Sequence, residues 1–359
     1  MSKSIGVALL SFAHNHQFHW ARALSAHPDV HLAGAWDSQP ERGRAGAEAV
    51  NVEFEPDLER LLTRDDVDAA AICSETASHA PLAVKAAEHG KHVLCEKPMA
   101  LGLPQCRDMI GAASESGVVY MQAFPQRHMR SNHAILGHLQ AGTLGAVSLV
   151  RKRHGHAFGL GTLAADMPWI VDREQAGAGG FLDEGIHECD VLRWFLGDPV
   201  SVQASIGNTL PSMAERGIDD FGAAIFSFAG GEKAVLESGW TWLAGGPTTE
   251  IYGSKGSLAQ NCTDLTAHRM PLPGVTKLQL YLEAEQASGW QALDVDDEFS
   301  QAHERVAHAF ADCLQSGHAP EVTGEDGKKA VEMMLGAYMS AVQGREIFFP
   351  LTGSESFPL

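Results

Sequence analysis

An α/β chain of two domains is predicted, a helix-covered parallel sheet followed by an α+β domain with an open, mostly antiparallel sheet, and three features of the sequence predict it. The 359 residues exceed one small core and suffice for two domains of ordinary size. Over the first third, short β-rich runs alternate with helical periods, the pattern of right-handed βαβ units. After Gly197-Asp198-Pro199, strands are instead separated by glycine turns such as Ala229-Gly230-Gly231, the pattern of hairpins. The change of pattern assigns residues 1–124 to the parallel-sheet domain and 125–359 to the second, with the last helix a candidate to pack back on the first.

Ile5 to Leu10 is apolar throughout and predicts a first strand, His16 to Ala26 a helix, and Val30 to Trp36 a second strand ending at Asp37. Glu41 to Ala49 and, after Pro56, Leu58 to Leu62 read as helices, and Val67 to Cys73 as a strand ending at Ser74-Glu75. Pro81 to His89 predicts a helix with Pro81 in its first turn, where the missing N–H is harmless, and Gly90 ends it. Lys91 to Cys95 is a buried strand running into Glu96-Lys97-Pro98, and the helix Pro104 to Ser116 leads through Gly117 to the strand Val118 to Phe124. The second domain opens with a helix from Asn132 to Ala141 and a strand from Val147 to Arg153 with one wet face. A helix from Asp183 to Leu196 follows Gly177-Ala178-Gly179-Gly180. Strands at Val200 to Ile206, Phe221 to Phe228, Ala234 to Trp242, Glu250 to Tyr252 and Leu278 to Glu283 precede two closing helices, Gln301 to Ser316 and Gly327 to Gln343.

Hydrophobic residues at 45% and charged residues at 20% are ordinary for a soluble globular protein, and no apolar run reaches the roughly 18 residues of a membrane span. The formal net charge of −19 opposes a phosphate-tracking surface, which argues against nucleic acid as a partner. Six cysteines without a C-x-x-C pair point to buried thiols in a reducing compartment. The opening residues lack a secretory pattern, so a cytoplasmic location is expected.

The turn after the first strand, Ser11-Phe12-Ala13-His14-Asn15-His16, stands where a dinucleotide-binding Rossmann fold holds pyrophosphate, usually with G-x-G-x-x-G. That fingerprint is absent; only Ser11 and Ala13 are small. Backbone N–H groups of the turn can still bind phosphate, and His14 or His16 can add a donor, while Ser11 serves equally as a helix cap. Asp37 is placed to accept hydrogen bonds from ribose hydroxyls and to repel a 2′-phosphate, which favours NAD over NADP; Arg42 and Arg44 leave NADP open. A plain turn residue is the competing reading of Asp37.

The segment Gly90-Lys91-His92-Val93-Leu94-Cys95-Glu96-Lys97-Pro98 closely resembles the Gfo/Idh/MocA family, named for glucose-fructose oxidoreductase and inositol dehydrogenase. Gly179-Gly180-Phe181-Leu182-Asp183-Glu184-Gly185-Ile186-His187-Glu188-Cys189-Asp190 is similar to the family's GG-x-x-x-D-x-x-x-H-x-x-D element. Ile251 to Leu258 resembles its C-terminal strand and turn, and Glu325-Asp326-Gly327 the start of its last helix. The resemblance implies an oxidoreductase with NAD(P) in the first domain, a sugar, cyclitol or related polyol as substrate, and homodimers or homotetramers packed through the C-terminal sheet. It also implies catalytic roles for Lys97, Asp183 and His187. Glu96 and Pro98 would shape the nicotinamide pocket through an often cis Lys-Pro bond, Ser74, Glu75 and His79 would contact cofactor, and Trp169 would border the nicotinamide.

These residue types suit hydride transfer, because a secondary alcohol that loses hydride must also lose its hydroxyl proton to a nearby base. Histidine is tuned for that near neutral pH, so His187 is the candidate base. Asp183, four residues earlier, shares a helical face with it and can orient a hydroxyl or the imidazole; Lys97 can stabilise developing alkoxide. Gly179-Gly180 permits close backbone approach to cofactor or sugar. The plain alternative makes Asp183 the N-cap of its helix and His187 a satisfied buried histidine; Asp190 fits a bond within the domain. His14-x-His16, His154-x-His156 and Glu184/His187/Asp190 match no standard zinc spacing, so no metal is expected. Two other functions compete with a dehydrogenase: a redox-neutral glycosidase or lyase acting through a transient keto-sugar, and a non-enzymatic dinucleotide sensor.

Overall fold

Strand β1 (Ile5–Leu10) is buried at every position, as six consecutive apolar residues require when both faces of a strand are covered. Helix α1 (His16–Ala26) follows, then β2 (Val30–Trp36), α2 (Pro40–Ala49), α3 (Leu58–Leu62), β3 (Ala69–Ile72), α4 (Thr76–Glu88), β4 (His92–Cys95), α5 (Leu103–Glu115) and β5 (Tyr120–Gln122). These strands form one parallel sheet in the order β2-β1-β3-β4-β5. The order reverses at β1, so the crevice beyond the carboxyl ends of β1 and β3 is the place where such sheets bind ligands. The computed structural model describes residues 4–161, 163–243, 247–261, 278–295 and 299–357; Cys262 lies outside them.

The chain divides into two compact units, the first comprising residues up to Pro125 together with Ser300–Lys328, the second Gln126–Phe299 with Lys329–Leu359. It is therefore the penultimate helix, α11 (Phe299–Ser316), and not the last, that joins the parallel-sheet unit. Val306, Ala307, Phe310 and Ala311 recur at helical spacing and share a buried cluster with Trp20, Leu24 and Val7. The last helix, α12 (Gly324–Gln343), has only its opening turn in the first unit. One helix start also differs from expectation. Helix α4 begins at Thr76, leaving Pro81 inside it, where the missing N–H costs one carbonyl its partner close to the helix start.

The second unit contains α6 (Arg130–Gln140), β6 (Val147–Gly155), the short α7 (Leu163–Asp166) and α8 (Arg173–Ala176), α9 (Gly180–Leu196), β7 (Ser201–Gly207), α10 (Pro211–Ala214), β8 (Phe221–Ser227) and β9 (Lys233–Gly239). It continues through β10 (Thr249–Gly253), β11 (Gly256–Gln260), β12 (Leu278–Leu282), β13 (Gln291–Ala292) and, after α12, β14 (Ile347–Phe348). Nine strands form a mixed sheet in the order β13-β12-β11-β10-β6-β9-β8-β7-β14, antiparallel except for β6 beside β9. Strand β11, whose first residues close the segment that resembles the family's strand and turn, pairs with β10 from Ser257 to Gln260 and with β12 along its whole length, although Gly-Ser-Leu-Ala-Gln has no β-branched residue.

The period-2 alternation of β6 decides what the site contains. Val150, Lys152 and His154 point to the buried side while Arg151 and Arg153 point outward, where both pair with Glu237 and Glu250. Helix α9 packs on β6, β8 and β9 and is buried at most positions, Glu184, Glu188 and Asp190 among them. Among the described residues no helix is long and apolar enough to cross a membrane.

Candidate active site

In the first unit, the unusual turn after β1 keeps the backbone of a glycine-rich one. Ser11 adopts φ 72°, a left-handed conformation that glycine ordinarily supplies, and is held there by hydrogen bonds. Its N–H donates to the Trp36 carbonyl at 2.7 Å, and its hydroxyl accepts from the Ala13 N–H at 3.2 Å and donates to Asp37 at 3.2 Å. The bulky Phe12 fits because its ring lies on Gly46 of α2, where an added Cβ would come within 2.3 Å of it. The glycine that permits close approach has moved from the turn to the facing helix. Helix α1 starts without a side-chain cap on Asn15, and the His16 N–H donates to His14 Nδ1 at 3.1 Å. Burial, with His16 adding to it, holds the His14 pKa well below that of a free imidazole, so His14 is neutral.

Asp37 is buried at the end of β2 and saturated with donors: the Phe12 N–H at 2.7 Å, the Gln39 N–H at 2.8 Å, and both Nε and Nη2 of Arg42 at 2.8 Å. Arg42 also bonds Glu75 through Nη1 at 2.9 Å and the Ser11 hydroxyl at 3.3 Å. It thus ties together the ends of β1, β2 and β3. Burial pulls the Arg42 pKa down, but the Asp37 and Glu75 carboxylates more than offset that and leave it raised. Sequence reasoning weighed Arg42 only as an opening for NADP; its position five residues after Asp37, in the first turn and a half of a helix, was the available signal.

A second set lies at the ends of β3 and β4. The Ser74 hydroxyl donates to the Glu75 carbonyl at 3.0 Å. His79 Nδ1 lies 2.8 Å from the Pro98 carbonyl and Nε2 3.2 Å from the Ser74 carbonyl, so this imidazole links the two loops. Its pKa is lowered by burial, and a neutral ring donates to one of the two oxygens at a time. The Lys97-Pro98 peptide is cis and Lys97 is buried. Glu96 accepts from Trp20 Nε1 at 2.7 Å and from the Lys97 N–H at 3.0 Å, and His16 Nδ1 lies 3.5 Å away. Burial raises the Glu96 pKa, but His16, His14 and Lys97 outweigh it and hold the group well below the usual carboxylate range. Gln122, not foreseen from sequence, pins this strand end by donating to the Cys95 and Glu96 carbonyls at 3.0 and 3.1 Å.

In the second unit, Asp183 and His187 lie one turn apart on α9. Asp183 is half-buried and accepts from Trp240 Nε1 at 3.0 Å. His187 is buried, its ring 5.3 Å from that of His154. Asp183 is not the cap of its helix. That role falls to Asp219, which accepts from the Gly179 and Phe181 N–H groups at 2.9 and 2.8 Å and from the Tyr338 hydroxyl at 2.8 Å. Gly179 and Gly180 lie tightly against neighbouring protein atoms. A Cβ on Gly179 would lie 2.0 Å from the Asp219 carbonyl and one on Gly180 2.9 Å from the Trp240 ring, so the pair serves close packing within the protein. Trp169 is half-buried in a 3-10 turn, Pro168–Val171, and packs on the cluster of Met167, Ile170, Met213, Ile218 and Trp240.

The remaining polar face of α9 is matched by β6 and its surroundings. Glu188 meets Lys152 Nζ at 2.9 Å and accepts from Gln126 at 2.6 Å, all three side chains buried. Asp190 takes a bidentate fork from Arg127 at 2.7 and 2.8 Å, a bond within the unit. Glu184 meets His154 Nε2 at 2.9 Å and also His156 Nε2. Burial raises the Glu184 pKa, but the two imidazoles hold it well below the usual carboxylate range.

Comparison with known proteins follows this division. Residues 5–124 match the model of an oxidoreductase family with an NAD-binding Rossmann fold, and residues 134–259 that of the GFO/IDH/MocA C-terminal domain. The chain is 27% identical over 335 residues to the myo-inositol 2-dehydrogenase of Thermotoga maritima, covering 91% of this chain and 93% of that protein. It is 30% identical over 227 residues to the 2,7-anhydro-N-acetylneuraminate hydratase of Mediterraneibacter gnavus, covering 63% of this chain and 59% of that one. In fold it is similar to the aldose-aldose oxidoreductase of Caulobacter crescentus complexed with glycerol, with TM-score 0.81, 22% identity, and coverage of 97% of this chain and 100% of that one. With one half matching the family's cofactor-binding domain and the other its C-terminal domain, the chain belongs to the Gfo/Idh/MocA family of NAD-binding oxidoreductases.

Proposed function

We propose that this chain transfers a hydride between NAD and a secondary hydroxyl or ketone of a sugar, cyclitol or related polyol. The observation that carries this reading is the pairing of Asp183 and His187 on one face of a buried helix, with Trp240 fixing the carboxylate. The residues of the first turn fit a dinucleotide: Ser11 supplies the left-handed backbone of a phosphate-binding turn, Asn15 leaves the start of α1 without a cap from its own side chain, and Asp37 stands at the end of β2. Ser11, Ala13, His14 and His16 would hold the pyrophosphate side. Asp37 would hold the ribose, with two carboxylates, Asp37 and Glu75, opposing a 2′-phosphate. Ser74, Glu75, His79, Glu96, Pro98 and Trp169 would border the remainder. When bound, NAD supplies the hydride acceptor.

His187 takes the hydroxyl proton, Asp183 orients the hydroxyl or the imidazole, and Lys97 stabilises the alkoxide that forms as hydride leaves. The Asp183 carboxylate is fixed by its hydrogen bond from Trp240, and the loop that carries Lys97 by the bond of the Lys97 N–H to Glu96 and by that of His79 to the Pro98 carbonyl. The test is NADH formation in a screen of sugars and cyclitols, with kcat lowered by roughly 10²–10⁴-fold in Lys97→Ala and His187→Ala. Full activity of either variant would remove that residue from the chemistry. A redox-neutral reaction through a transient keto-sugar is the second reading, favoured by the similarity to a hydratase. It predicts product without net NADH from a protein that retains its cofactor. The outward face of the C-terminal sheet, with Phe221, Ile225, Tyr252 and Phe348 exposed, is our proposed homo-oligomer contact.

A further inference from the structure

Period-2 alternation places His154 on the side of β6 that faces α9, His156 follows directly beyond the end of that strand, and the start of α9 carries Asp183 and Glu184. Among the described residues one group of at least three histidine, cysteine or carboxylate side chains is arranged to hold a metal ion, and it is His156, Asp183 and Glu184. One ligand atom from each lies within 4.8 Å of the others. His154 stands at the edge of this group, its Nε2 2.9 Å from a Glu184 oxygen. Behind the other nitrogen of His154, at 3.5 Å, is the buried carboxylate of Glu188, itself neutralised by Lys152. An imidazole backed by a carboxylate is the arrangement that orients metal-binding histidines.

Two further facts point the same way. Asp183 and Glu184 place two carboxylates at close range, and among the described residues the ion pairs of Glu184 are to His154 and His156, whereas the neighbouring Glu188 and Asp190 each have a lysine or arginine. A cation placed between two such carboxylates is attracted by both. The His156 Nδ1 atom, moreover, is buried and has no hydrogen-bond partner among the described residues, while its Nε2 faces Glu184.

We propose that His156, Asp183 and Glu184 form a binding site for a divalent transition-metal cation, with His154 as a further donor at its edge. A mixed imidazole and carboxylate set suits zinc, cobalt, iron or manganese better than magnesium or calcium. Three protein ligands leave coordination positions for oxygens of a polyol, which makes the site an anchor for a vicinal diol. The sequence spacing hid it because its donors come from two elements, a strand and a helix, in place of one short motif.

The experiment is titration of EDTA-treated full-length protein with cobalt(II), without NAD or substrate, so that its outcome is separate from that of the dehydrogenase reading. One equivalent is expected to bind and to give visible absorption bands, with affinity lowered at least ~100-fold in His156→Ala and in Glu184→Gln, and about 10–100-fold in Glu188→Gln, which only orients His154. Circular dichroism establishes that each variant is folded. Paramagnetically shifted proton spectra of the wild-type cobalt form supply a readout that needs no variant: exchangeable imidazole N–H signals are expected. No stoichiometric binding, binding unchanged in both ligand variants, or a spectrum without such signals overturns the proposal.

Discussion

The two units solve the same problem, a carboxylate buried beside a binding crevice or helix, by different routes. Asp37 in the first unit takes its guanidinium from Arg42, five residues away, and two backbone N–H groups from residues beside it and across the turn. Glu96 adds to a remote donor, Trp20 Nε1, the N–H of the next residue, and Asp57 caps its own helix. In the second unit the partners are remote: Arg127 for Asp190, Lys152 for Glu188, His154 and His156 for Glu184, and Asp219 for the N-terminus of α9. Local pairing survives small shifts of backbone, whereas remote pairing requires that α9 and β6 be held in register. The second unit should therefore be the one in which single charge deletions are most disruptive.

The largest effect on stability is expected at Arg127→Met. Removing the guanidinium leaves Asp190 buried and unpaired, and breaking a buried pair in this way costs about 3–5 kcal/mol. Urea unfolding should show the corresponding fall in midpoint. A loss under about 1 kcal/mol would mean that the fork is dispensable and that remoteness carries no penalty. Arg42→Met is the matched change in the first unit. Its guanidinium is partly exposed and its carboxylates keep their backbone donors, so solvent and those N–H groups absorb part of the loss and about 1–2 kcal/mol is expected. Equal losses in the two variants would erase the distinction.

What could be read from sequence follows the same division. Ile5–Leu10, His16–Ala26 and Val30–Trp36 were legible to the residue because continuous burial and helical amphipathy leave their own periods in the chain. Strand β11 was not, since its place between β10 and β12 comes from pairing and not from β-branched residues. Helix α11 was legible as a helix but not in its partner, and its apolar stripe packs on α1 of the first unit. Within the candidate site, Lys97, Asp183 and His187 stood out by family resemblance. Arg42, Gln122, Asp219 and Lys152 did not, because each acts through a partner that only the folded chain brings near.

Acid should act on the first unit through its buried imidazoles. His14 and His79 are buried with pKa values depressed by burial, so the folded first unit binds fewer protons there than the unfolded chain. The stability they contribute is present above the unfolded value of about 6.5 and is lost as pH falls below it toward their folded values. Glu96, held low by His16 and its neighbours after burial is offset, loses its contribution only further down, below the unfolded carboxylate range. Thermal melts between neutral pH and about 5 should therefore fall, and fall less steeply in a His14→Gln, His79→Gln double variant. A double variant with the wild-type slope would show that these imidazoles are not the groups that titrate.

The smallest effect is expected at the most local of these contacts. Asp57 caps α3 by accepting the Glu59 N–H at 2.9 Å and the Arg60 N–H at 3.3 Å, and all three residues are at the surface. Asp57→Ala returns two N–H groups to water, which hydrates them, so the cost is about 0.5–1 kcal/mol, at the low end for a helix cap. Asp219→Ala removes an equivalent cap from α9, but there the Gly179 and Phe181 N–H groups and the Tyr338 hydroxyl lose a buried partner, and the loss should be at least twice as large. Chemical denaturation of the two variants side by side measures that ratio. A ratio near one would mean that the start of α9 reaches water as readily as α3 does, and the contrast between local and remote capping would then have no energetic content.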